Sequence, residues 1–185
     1  MAKAKRKAKT TGTRTKKTGK KAVKTKATKP KAAPKPQAAP GGFAARLSAA
    51  AQAARSINRP QTFTVSHLRE EDFDQGLRTY AKYRDLGIAP ATGGMVQAHV
   101  IRMIPPYRPE EVATPHYHDV DFQMVYVLKG WYRTEFEGEG VHTFHEGAAW
   151  IQPPKIKHTV LGYSDDCELL EIVLPADFKT ITLDK

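Results

Sequence analysis

Between residues 113 and 174 the chain is cut into short pieces by turn residues at close, regular intervals. Lys129-Gly130, Gly138-Glu139-Gly140, Glu146-Gly147 and Ser164-Asp165-Asp166 separate runs rich in Val, Ile, Phe, Tyr and Thr. Glycine and aspartate supply the backbone conformations that a reversal needs, while β-branched and aromatic residues suit a pleated, extended chain. The pattern predicts strands near 113–118, 121–129, 131–137, 141–144, 148–152, 157–162 and 167–174. Many short strands joined by close turns fold as an all-β sandwich or barrel. A further strand is expected over Met95 to Ile104, where Val96, Ala98, Val100 and Arg102 alternate with Gln97, His99 and Ile101 before Pro105-Pro106 closes it.

Charge divides the chain in two. Residues 1–40 hold 15 of the 30 basic residues and none of the 19 acidic ones, so 41–185 carry 15 basic against 19 acidic, a net of −4. Residues 1–41 are built from Lys, Ala, Thr and Pro, with too few bulky apolar groups to offset the entropy of ordering them. A disordered basic tail is expected there. Such a polycation can hold nucleic acid by neutralising phosphates, without reading bases. Residues 42–60 follow as a short helix or linker, since Phe43, Leu47, Ala50, Ala51 and Ala54 recur at near-helical spacing before Pro60. The β domain spans 61–178, opening with an expected strand at 61–68 that places Phe63 and Val65 on one face. The pattern leaves Leu77 to Ile88 unassigned, and Ala89 to Gly94 reads as a turn. Pro175 stops the last expected strand, and 179–185 reads as a C-terminal tail.

Cys167 is the lone cysteine and has no partner within the chain, which points to a reducing, cytoplasmic setting. No run of eighteen or more apolar residues is present to span a membrane, and the tail lacks the apolar anchors that would hold it on one.

The chemistry gathers in two stretches. In an extended strand, residues two apart leave the same face, so His116 and His118 offer two imidazoles toward one point. Gln123 begins a second run whose face continues through Val125 and Val127, and His158 lies farther on. Imidazole nitrogens and an amide oxygen are ligands for a divalent first-row metal. Asp119 and Asp121 flank the ligand strand as alternative oxygen donors, though alternation favours Gln123. His99, His142 and His145 read as surface or packing residues, and His67 is less informative still. Phe122, Met124, Tyr126 and Leu128 form an apolar face opposite Gln123 that suits a second sheet or subunit, while Trp131 and Trp150 suit either the cavity or that interface.

The spacing His116-x-His118, Gln123, Gly130 resembles the first motif of the cupin superfamily, and Gly147, Pro153 and His158 resemble the second. The resemblance runs from about residue 95 to 175 and implies a cupin-type β-barrel, or jelly roll. It also implies His116, His118, Gln123 and His158 as ligands of Fe, Mn, Ni or Zn, and a homodimer. The family more often has glutamate at the position of Gln123, aspartate at Ala148 and glycine at Lys155. Three imidazoles and an amide leave the metal charge uncompensated, which favours an anionic ligand. Gln123 also cannot act as a general base. The implied function is metal-dependent dioxygenase or isomerase chemistry on a small organic molecule. The alternative is a non-enzymatic binding or sensing module, held near nucleic acid by residues 1–41.

Overall fold

The computed structural model describes residues 60–76 and 78–183. The tail at 1–41 and nearly all of the helix expected at 42–60 lie outside the described residues.

Eleven strands form among the described residues. β1 (Asp74–Gln75), β2 (Ala81–Asp85) and β3 (Gln97–Met103) precede β4 (His116–Asp119), β5 (Phe122–Lys129), β6 (Trp131–Phe136) and β7 (Gly140–His145). β8 (Ala149–Ile151), β9 (His158–Tyr163), β10 (Glu168–Leu174) and β11 (Lys179–Thr182) complete the set. Two short helices, α1 (Ile88–Ala91) and α2 (Pro109–Val112), flank β3. One sheet has the order β1-β2-β3-β10-β5-β8 and the other β11-β4-β9-β6-β7, with every pairing antiparallel. This is a jelly roll.

Alternation sets what faces inward. Along β5, Gln123, Val125 and Val127 are buried; on neighbouring β10, Leu169, Glu171 and Val173 are. Met103, Val112, Val160, Tyr163 and Cys167 pack with Val125, Val127 and Leu169 into one core. The β5–β6 reversal needs Gly130, whose φ of +71° is the left-handed region open to glycine. A side chain there would also run into Ser164, whose hydroxyl accepts the Trp131 amide at 2.9 Å.

Three stretches depart from the sequence expectation. Residues 61–68 form no strand: Thr62 donates to the Ala91 carbonyl at 2.8 Å, and Ser66 accepts from Arg84 at 2.9 Å. Phe63, 95% exposed, and Val65, 57% exposed, have no facing sheet to bury them. Part of the unassigned stretch becomes β2, recruited by β3 from Ala81↔Met103 to Asp85↔His99. The expected C-terminal tail contributes β11, because Lys179 to Thr182 finds the open edge of β4.

Candidate metal centre

Both histidines of β4 leave the same face, as their spacing requires. β9 runs beside β4, and their register sets His158 opposite His116. Three imidazoles therefore converge, with one nitrogen from each within 4.8 Å of the others. The ring centres of His116 and His158 are 4.2 Å apart, and each lies 5.2 Å from that of His118.

What each ring does with its outward nitrogen decides what the inward one can do. His116 Nδ1 donates to the Thr114 carbonyl at 2.9 Å, and His158 Nδ1 to the Ile156 carbonyl at 3.1 Å. A carbonyl only accepts, so the proton sits on Nδ1 and the lone pair is left on Nε2. The Thr180 hydroxyl, on β11, lies 2.9 Å from His118 Nδ1 and can accept in the same way. Gln152 Nε2 approaches His158, but at 3.2 Å from Nε2 and 3.5 Å from Nδ1. A nitrogen nearly equidistant from both ring nitrogens lies beside the ring, off the direction of the Nε2 lone pair. That lone pair stays free.

Burial keeps the cluster neutral. It lowers His118 to about 4, with His116 pushing down further and Glu171 pulling up. It lowers His158 to about 3, aided by the two neighbouring histidines. His116 is lowered by burial too, against its bond to Thr114. At neutral pH a cation would have no proton to displace.

Gln123, from the next sheet, is 1% exposed and has both ends of its amide engaged. Nε2 donates to Glu171 Oε1 at 2.6 Å, and Oε1 accepts from Gln152 Nε2 at 3.0 Å. The carboxylate thus fixes which way the amide points, and the amide oxygen keeps a second lone pair. Glu171 Oε2 lies 2.7 Å from His99 Nε2, directly across the β3–β10 register. Burial pushes the Glu171 carboxyl up, but the hydrogen bond and charge of His99, with His118 and Gln123, outweigh it and hold the group below the ordinary range.

Sequence reasoning missed Glu171 and Gln152 and read His99 as a surface or packing residue. His99 is in fact 8% exposed and holds the buried carboxylate. One signal for Glu171 was available: a lone carboxylate at inward parity in the otherwise apolar run Leu169-Leu170-Glu171-Ile172-Val173. The flanking acids stay outside the cluster. Asp119 is exposed and pairs with Lys155 at 3.2 Å, and Asp121 is exposed. Lys155 adopts φ +62°, which accounts for glycine as the commoner residue at that turn, and its amine points to Asp119. His142 stacks on Phe144, while His145 and His67 are exposed. Trp131 packs over Gly162, whereas Trp150 lines the cavity.

The cavity beside the histidines has a volume of about 100 Å³. Trp150, Tyr132, Ile101, Met103 and Leu169 form apolar wall, and Arg78 and Glu171 also line it. A larger groove of about 1030 Å³ between Ser66, Asp72, Asp85 and Asp177 shares Tyr83, His99 and Phe178 with it. That groove is open to solvent and lacks the histidine cluster, so size does not mark the chemistry here.

Comparison with known proteins bears on the fold. The family model described as "Cupin domain" matches residues 106–173. The polyketide cyclase RemF from Streptomyces resistomycificus is 16% identical, with a TM-score of 0.50 over 65% of this chain and 87% of that one. Oxalate decarboxylase from Bacillus subtilis is 16% identical, with a TM-score of 0.50 over 70% of this chain. The chain spans 33% of that enzyme's length. KdgF from Halomonas sp. is 22% identical, with a TM-score of 0.47 over 60% of this chain and 94% of that one. At such identities the likeness is one of fold. No curated protein matches the sequence.

Proposed function

Taking as premise that this chain carries a cupin domain and so belongs to the cupin superfamily, we propose that its barrel binds a divalent first-row metal and acts on a small organic molecule beside it. His116, His118 and His158 would hold the ion through Nε2, with Gln123 Oε1 as fourth donor. One observation carries the reading: three buried imidazoles converge, and backbone carbonyls hold the Nδ1 protons of His116 and His158 so that their Nε2 lone pairs are left free there. Ligating histidines are ordinarily oriented by such partners. Nitrogen donors suit iron, manganese, nickel or zinc.

When bound, such a metal supplies Lewis acidity and open positions for an oxygen-bearing ligand. The protein's own groups do the rest. All four donors are neutral, so the site would keep its positive charge and attract an anion. Glu171 compensates part of that charge from behind Gln123. The apolar wall sheds water and receives carbon, which fits dioxygenase or isomerase chemistry.

The test is elemental analysis of untagged protein beside His116→Ala and His158→Ala. Near-stoichiometric metal in the wild type, lost in both variants, is expected. A wild type that stays metal-free after reconstitution with several divalent ions would contradict the reading and favour a metal-free binding module.

A further inference from the structure

The cavity holds one cation that metal binding does not use. Arg78, in the loop before β2, is half-buried and lines the cavity with His116, His118 and His158. Among the described residues its guanidinium forms no ion pair and no hydrogen bond. The other arginines withdrawn from solvent are engaged: Arg84 with Ser66, and Arg102 with Glu70 and Glu168. Glu171 is not its partner: its two oxygens meet Gln123 and His99, and no Arg78 contact to it forms among the described residues. A partly desolvated guanidinium without an anion is costly, and its planar fork matches a carboxylate.

Another part of the cavity wall is built for carbon. Trp150 stacks on Phe144 at 4.0 Å between ring centres and lies nearly parallel to Tyr132 at 6.0 Å. Trp150 Nε1–H is buried with no acceptor in the protein. The cavity volume of about 100 Å³ leaves room for about four to six non-hydrogen atoms.

We infer that Arg78 is the specificity-determining residue of this cavity and receives the carboxylate of a short-chain organic acid. The carbon skeleton lies against Trp150 and Tyr132, and a second oxygen turns toward the histidines. The inference rests on the proposed reading of the cavity as a ligand site, and it gives that site a substrate class. Inorganic phosphate would also suit a guanidinium, but it has nothing to place against the aromatic wall.

Calorimetric titration of the manganese-loaded protein with pyruvate, with its uncharged isostere pyruvamide and with inorganic phosphate tests this. Pyruvate should bind at least about tenfold more tightly than pyruvamide, the margin of a charge-assisted hydrogen bond. Arg78→Gln should cut that preference by about tenfold in manganese-loaded protein, whose ion also attracts the carboxylate, and erase it in chelated protein, while its manganese content equals that of the wild type. Equal binding of the two compounds, or a preference that Arg78→Gln leaves unchanged, would overturn the inference. Phosphate binding more tightly than pyruvate through Arg78 would overturn the organic-acid assignment. The same titrations on chelated protein separate this idea from the metal reading. A wild type that takes up no manganese contradicts the metal site alone, whereas chelated protein without an Arg78-dependent preference contradicts the role of Arg78.

Discussion

Two sets of buried histidine share this barrel, and they are set to opposite uses. His116 and His158 give their Nδ1 protons to backbone carbonyls and hold their other lone pairs free in a cavity. His99, on β3 of the other sheet, meets the carboxylate of Glu171 on neighbouring β10 and leaves nothing free on that side. Burial is alike, 6% exposure for the first two and 8% for the third. The partner differs. A carbonyl fixes the ring and asks for no charge, which makes a neutral donor. A carboxylate takes the ring's hydrogen bond for itself, which makes a structural tie. The lesson is that a buried histidine is read from the atom opposite its outer nitrogen.

The contrast can be broken most severely at Glu171. Glu171→Ala strips two donors, on Gln123 and His99, of their acceptor, and should cost about 3–5 kcal/mol. His158→Ala in metal-free protein removes one hydrogen bond to a carbonyl and the packing of a polar ring, and should cost less, about 1–3 kcal/mol. Urea denaturation of both chelated variants checks the order, and equal losses would mean the two sets are not different in kind.

Acid should weaken the free set. The folded-state values of about 4 for His118 and about 3 for His158 lie below the unfolded value of about 6.5. Between those limits the unfolded chain binds more protons. Stability of the metal-free protein is therefore full above pH 6.5 and falls as pH drops toward 4 and 3, by about 1.4 kcal/mol per pH unit for each histidine. Denaturation midpoints at pH 7 and pH 5 measure this, and an unchanged midpoint would show solvated rings.

A gentler change touches only the orienting partner. Thr180→Val removes the hydroxyl facing His118 Nδ1 and should weaken zinc binding by about 10- to 100-fold. Its circular dichroism should match the wild type. Full zinc affinity in this variant would detach the ring's orientation from its donor role. The smallest expected effect lies outside both sets. Burial pushes the Cys167 thiol up to about 12, so alkylation of native protein at pH 8 should be negligible and appear only in denaturant.

How far the chain could be read follows from how local each signal is. Seven strands after residue 113 were legible because turn residues bracket them, and two of the histidines because β4 carries them two residues apart. β11 was not, since Lys179-Thr180-Ile181-Thr182 becomes a strand only by finding the edge of β4, over 60 residues earlier in the chain. At 61–68 the alternation was real but had no sheet to face. The Glu171 tie was hidden for the same reason as β11. Its partners Gln123 and His99 lie 48 and 72 residues away, and only the strand order brings them together. Arg78 sits in a loop that no periodicity marks.

The most direct measurement is nitrogen-15 correlation NMR of the imidazoles in metal-free protein at pH 7. His116 and His158 should be neutral with the proton on Nδ1, and zinc should then shift their Nε2 resonances. Either ring found protonated at both nitrogens, or carrying its proton on Nε2, would contradict the free donors on which the proposed metal centre depends.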